Sequence, residues 1–512
     1  MTDMDMTLPT RPSRKSVPWF WMGMALVFLL SLSLRFWGLS QPNILVFDEV
    51  YFAKFANNYL THTDFFDTHP PLSKYLIAIG IWLGGHFPVG KDTVNNLTGT
   101  QLTTFSYRWL NALTGSFIPL VVGGIAYQLS HRRSYGFIAS LFVAVDGLFL
   151  VESRYALNNI YLVLFGLLAQ WCLLVALENQ QKRRGLWLAL SGICFGASAS
   201  VKWNGLWFLL GIYLILITTW AMRSLPFFRS IAAELFPKKS SSNSELGTLK
   251  TTSTPLQNLG QLNLKKIFLN LGIIPGLVYS LVWIPHLLLY PKPGFWEMQQ
   301  KLLSYHQNVG NGPQEHPYCS AWYTWPLMIR PMGYYFQKVD ETPSPSSPLF
   351  FPSKPSPPKI IYYDVHGMGN PVLWWLSAIA ILVVLSLLVF TIRTWVTASD
   401  ITVNQTMPGL QRAEFWIVLY LILNYIANLL PWVRVTRCTF IYHYMGASIF
   451  AFLALAWIVD RCLRGYDLFL RMVGVTIVFL ILISFVFWLP VFLGFPLSPE
   501  AFYSRMWFPS WI

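Results

Sequence analysis

The chain has 512 residues, of which 54% are hydrophobic and only 11% charged, and its formal net charge is +14. A soluble domain carries about 25% charged residues, so the composition excludes a soluble enzyme. Apolar runs of roughly 20 residues exclude a transmembrane β-barrel, whose alternating segments are about ten residues long. The Lys and Arg excess falls between the apolar runs, as expected of a topology signal in contact with anionic lipid headgroups; no nucleic-acid partner is expected.

Hydropathy predicts an all-α polytopic membrane protein with about eleven spans, near 18–38, 104–129, 135–151, 156–177, 186–201, 204–222, 267–290, 372–393, 413–431, 438–459 and 472–495. The first run, Val17–Leu34, follows Arg11, Arg14 and Lys15. It is too long for a signal-peptide core and no small-residue cleavage site follows, so it reads as a retained span with residues 1–17 inside. His131–Arg133, Lys182–Arg184, Lys238–Lys239 with Lys265–Lys266, Arg393–Arg412 and Arg461–Arg471 then fall on the inner side. Residues 39–103 and 291–371 become two long outer loops, 104–222 carry spans two to six, and 223–266 form an inner linker. Span seven is placed at 267–290, the last four spans within 372–495, and 496–512 outside. Short amphipathic helices are expected at 48–60 and 72–83, and an irregular Pro/Ser-rich stretch at 341–358. Cys172, Cys194, Cys319, Cys438 and Cys462 have no metal-ligand spacing and read as packing residues that report no redox compartment.

The scarce charge gathers in the first outer loop, where Asp48 and Glu49 follow the first span by about ten residues. Adjacent residues diverge by about 100° on a helix, so separate tasks suit them better than joint action on one atom. Either they do chemistry or they favour a helix N-terminus. Arg35 and Arg108 lie at the facing ends of the first two spans, where Arg marks a pairing, a phosphate partner or a snorkelling side chain. His69 precedes Pro70 and Pro71 in a rigid step before a helix start. Arg154, Lys202 and Trp203 occupy outer turns, and Arg434 and Arg437 precede Tyr442 and His443 on the same side. Trp322–Tyr335 forms an aromatic patch, suited equally to sugar stacking and to interfacial anchoring.

Residues 47–55 (Phe-Asp-Glu-Val-Tyr-Phe-Ala-Lys-Phe) with 67–74 (Asp-Thr-His-Pro-Pro-Leu-Ser-Lys) resemble the first outer loop of the protein O-mannosyltransferase family. Further matches follow in order: Asp146–Leu148 with Glu152–Arg154, Ser200–Gly205, Trp322–Leu327 with Arg330 and Pro331, Gly369–Pro371, and Thr439–Tyr444. The resemblance implies a type-C glycosyltransferase fold. It implies inverting transfer of mannose from a polyprenyl-phosphate-mannose donor to Ser or Thr hydroxyls of secreted or membrane proteins, at the outer face of a bacterial plasma membrane. It implies Asp48 as base with Glu49 as its partner, and Arg35 and Arg108 as site arginines. Arg434 and Arg437 are expected to join them on the donor phosphate. His69, Lys74, Arg154, Lys202, Trp203, Tyr442 and His443 are expected to contact substrate. No cofactor is expected; a divalent metal is compatible but not required.

Three departures stand out. Ser73 stands where the family usually has Gly, Asn159 where an Asp often occurs, and the second outer loop lacks a β-trefoil domain. Asn159 is therefore given no catalytic role. The alternative reading is a related transferase acting from the same kind of carrier on a lipid or glycan. A lipid-linked-sugar transporter is disfavoured, because its charges would lie deep in the spans.

Overall fold

The structure is a computed structural model that describes residues 18–178, 183–225, 235, 255–341, 359–397 and 410–512. Helix α1 (Pro18–Phe36) leads to two short helices, α2 (Glu49–Thr61) and α3 (Leu72–Gly84). A small antiparallel pair, β1 (Val94–Asn95) and β2 (Leu102–Thr103), then opens α4 (Thr104–Ser130), whose first turn is capped by the Thr103 side chain. α5 (Arg133–Ala144), α6 (Gly147–Arg154), α7 (Asn159–Glu178), α8 (Arg184–Ala199) and α9 (Leu206–Ser224) complete the first half.

α10 (Leu264–Leu289) and the amphipathic α11 (Phe295–Asn308) precede a hairpin, β3 (Met332–Glu341) with β4 (Lys359–Gly367). The last four long helices are α12 (Pro371–Thr397), α13 (Arg412–Leu429), α14 (Met445–Arg464) and α15 (Leu468–Leu493). Gly494 ends α15 at φ +72, a left-handed position that costs glycine little.

Helices occupy all eleven expected runs, but two are not simple spans. Among the described residues nine helices are long and apolar enough to cross a membrane, and α5 with α6, bent by 59°, makes a tenth. The bend has a cause in the sequence. The Asp146 side chain accepts from Phe149 N at 3.0 Å and Asn370 N at 3.1 Å, so a carboxylate caps a new helix inside an apolar run. The run near 186–201 is the 16-residue α8, packed between α7 and α10.

The second loop carries α11 and the β3–β4 hairpin. Its Pro/Ser-rich middle, 342–358, lies outside the described residues, as do residues 1–17 and most of the inner linker.

Burial sorts the helices. The apolar windows of α7, α13 and α14 are 72% buried, against 22–28% for α1, α10 and α15. The first three form the centre. The others turn residues such as Trp21, Leu288 and Val486 outward, where lipid tails meet them. At one end of the bundle Arg132 lies 3.5 Å from Asp460 and 3.6 Å from Glu414, and Arg461 and Arg464 bond the same two acids. Two basic segments expected on one side thus meet.

Candidate active site

Residues far apart in sequence converge at the opposite end. Arg35, Arg108 and Arg154 are almost completely buried there. Arg154 Nη1 donates to the carbonyls of Leu34, Arg35 and Trp37, closing the C-terminal end of α1 where backbone acceptors are unpaired. Arg35 donates to the carbonyl and hydroxyl of Ser31. Arg108 donates to the carbonyls of Leu39, Pro42 and Ile44 and grips Glu49 through Nε at 2.9 Å and Nη2 at 2.7 Å. Glu49 also accepts from Val46 N and Ala156 N. Four donors therefore fill its two oxygens.

These bonds give Arg35, Arg108, Arg154 and Glu49 partners within the protein, and none of the four lines the cavities built around Asp48 and Lys202. Lys74 likewise is buried against Asp67 and donates to the carbonyls of His69 and Pro70. These five residues shape the loop on which the active groups sit.

Asp48 is different. It is the residue before α2, and its side chain neither caps the helix nor makes a hydrogen bond or ion pair among the described residues. It faces a cavity of about 570 Å³ lined also by Asp67, His69, Lys202, Glu315, Arg437, Tyr442 and His443. Phe47, just before it, has φ +52, a left-handed conformation uncommon for a bulky residue and characteristic of functional sites. The Phe47 ring pays back that strain by stacking on Tyr334 at 4.5 Å. Burial raises the Asp48 carboxyl to about 6, partly offset by Lys202. It thus titrates close to neutrality, where a general base works best.

Lys202, at the turn before α9, donates to Asn159 Oδ1 at 2.8 Å and lies 5.3 Å from the Tyr442 ring centroid. Burial lowers it to about 8, against the pull of Asp48 and Glu152. Asn159 in turn donates to Glu152, whose other oxygen accepts from the Tyr334 hydroxyl. The family departure at Asn159 therefore bridges the lysine to a buried acid.

A second cavity of about 320 Å³ shares His69, Lys202, His306, Arg437 and His443 with the first and adds Trp203 and Arg434. Trp203 continues into an apolar groove of about 590 Å³ between α8, α9 and α10, lined by residues such as Leu206, Leu209 and Pro275. Burial, with Lys202 and Lys74 nearby, holds His69 well below the usual imidazole range; its ring stacks 5.5 Å from that of His306, which burial lowers to about 4. Both are neutral at pH 7 and present hydrogen-bonding rather than charged rings.

Of the expected site residues, the structure gathers Asp48, His69, Lys202, Trp203, Arg434, Arg437, Tyr442 and His443. Sequence reasoning missed His306, which lies in no motif, and gave Tyr334 only a place in the aromatic patch. The aromatic patch is only partly exposed: Trp325 is fully buried, packed on Trp432 and His443. The cysteine reading also needs correction. Cys319 and Cys438 form a disulfide across 119 residues, joining the second loop to the segment that carries Arg437.

Comparison with known proteins agrees with this picture. Residues 25–290 match the family model described as dolichyl-phosphate-mannose-protein mannosyltransferase, and residues 292–511 match the C-terminal four-helix region of protein-O-mannosyltransferase. The polyprenol-phosphate-mannose–protein mannosyltransferase of Mycolicibacterium smegmatis is 24% identical, with 96% of this chain and 93% of that protein covered. Its counterpart in Corynebacterium glutamicum is also 24% identical, over 86% of this chain and 81% of that protein. The S. cerevisiae protein O-mannosyltransferase Pmt1-Pmt2 complex bound to the sugar donor superposes with a TM-score of 0.71 at 14% identity, covering 98% of this chain and 93% of the yeast chain. The fold is that of the type-C glycosyltransferases, and the chain belongs to the protein O-mannosyltransferase family of membrane glycosyltransferases.

Proposed function

We propose that the chain transfers mannose from a polyprenyl-phosphate carrier to Ser or Thr hydroxyls of proteins, with inversion, using Asp48 as base. The observation that carries this reading is the unbonded Asp48 carboxylate on a cavity that shares Lys202 and Arg437 with the neighbouring one. Arg437, Arg434 and Lys202 suit the donor phosphate, because guanidinium and ammonium groups match its oxygens. The apolar groove beyond Trp203 suits the prenyl chain.

The step balances simply. The acceptor oxygen forms a bond to the anomeric carbon as the bond from that carbon to the phosphate oxygen breaks. The electron pair leaves with the lipid phosphate, whose growing charge the cations stabilise. The hydroxyl proton passes to Asp48. A single displacement of this kind inverts the anomeric centre. In this reading His69 and His443, which line both cavities, hydrogen-bond the sugar between base and phosphate. The disulfide supports an outward-facing site, since such bonds persist in oxidising compartments. In a bacterium that is the outer face of the plasma membrane.

The test is transfer of labelled mannose from the polyprenyl-phosphate donor to a Ser/Thr-rich peptide by the purified protein. Asp48→Asn should lower turnover by about 10²–10⁴-fold while donor binding survives. Equal loss of donor binding would overturn the base assignment. Label on a lipid acceptor, with none on peptide, would favour the alternative transferase.

A further inference from the structure

A fourth cleft, of about 490 Å³, lies between the β3–β4 hairpin and the C-terminal segment. This is within the range of about 300–1,000 Å³ typical of small-ligand sites. Its walls are aromatic: Tyr318, Tyr334, Phe336, Tyr362, Phe502 and Trp511. Gly333 lets Tyr318 close in, because any Cβ there would meet the tyrosine hydroxyl at 2.6 Å.

Among these rings sit two buried polar groups. Asp364 and His366 are alternate residues of β4 and so share a face of the hairpin. They are 2% and 3% exposed. Asp364 Oδ2 faces His366 Nδ1 at 3.2 Å without making a hydrogen bond, and His366 Nε2 has no hydrogen-bond partner among the described residues. Buried polar atoms are ordinarily satisfied, so these atoms call for a hydrogen-bonding partner from the cleft, a water or a ligand hydroxyl.

We propose that this cleft binds a neutral hexose unit. Sugar hydroxyls both donate and accept, which meets a carboxylate and an imidazole together, while the C–H face of the ring packs on aromatic walls. Other chemistries fit worse. An apolar side chain leaves Asp364 and His366 unsatisfied. An anion meets the Asp364 carboxylate, and Lys338 at the mouth lies 3.7 Å from Asp340. A metal ion lacks ligands, since no cluster of three His, Cys, Asp or Glu side chains occurs among the described residues.

The cleft adjoins the Asp48 cavity. Tyr334 lines it while its hydroxyl bonds Glu152 and its ring stacks on Phe47. Tyr318 also lines it, and packs against His316 of the Asp48 cavity. A hexose held here belongs to an acceptor chain that already carries sugar. That assignment rests on the transferase reading above; hexose binding by itself does not.

The test uses the full chain in lipid nanodiscs free of glycosidic detergent, with methyl α-mannopyranoside as ligand and saturation-transfer NMR as readout. Wild type and Asp48→Asn should bind equally. His366→Phe should weaken binding by about tenfold or more, the loss of a hydrogen bond to a buried polar partner. Phe336→Ala, at a half-exposed ring, should weaken it by about threefold. No signal with wild type, or a signal that survives both variants, overturns the proposal. In the transfer assay a singly mannosylated peptide should show a lower KM than the unmodified peptide, and His366→Phe should abolish only that difference. His366-dependent hexose binding without any transfer would keep the cleft and sink the transferase reading. Competition by a mannosylated lipid but not by mannosylated peptide would overturn the acceptor assignment.

Discussion

Glu49→Gln separates a structural carboxylate from a catalytic one. Glu49 is fully buried and accepts from Val46 N, Ala156 N and both Nε and Nη2 of Arg108. Glutamine has the same shape, but its amide nitrogen cannot accept. One end of the side chain must then point N–H at N–H, and Arg108 is left as an unneutralised buried charge. Each stranded buried donor costs about 1–3 kcal/mol, and breaking a buried ion pair from one side costs about 3–5 kcal/mol. These describe the same loss, so about 3–5 kcal/mol is the expectation. The assay is the fraction of monodisperse protein remaining after heating, measured by size-exclusion chromatography, with turnover followed on the same samples. The variant should lose thermal stability strongly. A Glu49→Gln protein as stable as wild type but about a hundredfold slower would refute the reasoning and return Glu49 to the chemistry.

Activity should follow a bell-shaped pH profile. Asp48 must be deprotonated to act as base, so turnover rises with pH through about 6; Lys202 must be protonated to hold phosphate, so it falls through about 8. An Asp48→Asn residual rate that keeps the acidic limb would assign that limb elsewhere. Arg437→Ala should weaken donor binding by roughly 10–100-fold, the loss of a charge-assisted hydrogen bond, read by titration with the lipid donor; unchanged affinity sinks its phosphate role. Cys438→Ser removes a bridge closing 119 residues of separation, worth about 4–5 kcal/mol in the chain-entropy picture. It should lower thermal stability and raise the donor KM, because Arg437 is the adjoining residue; an unaltered KM would confine the disulfide to stability.

Part of this protein is legible in the chain alone. Apolar run length determines the membrane spans, because a bilayer sets how many residues must be apolar. Local motif order determines the family and points to Asp48, His69, Lys202, Arg437 and His443, since these stand in short stretches of unusual charge within an 11% charged chain. Partnership is what sequence cannot express. An arginine at a span end reads identically whether it meets a phosphate or the protein's own acceptors, and only packing reveals that Arg35 bonds Ser31, Arg108 bonds Glu49 and loop carbonyls, and Arg154 bonds carbonyls at the end of α1. Adjacent Asp48 and Glu49 look alike until the helix turns one toward a cavity and the other toward Arg108. His306 joins His69 only because α11 folds back over the first loop, and Cys319 meets Cys438 only because the second loop closes on the segment before α14. Chain order thus determined which residues could be charged in a membrane, and tertiary contact decided which of them keep that charge free for a substrate.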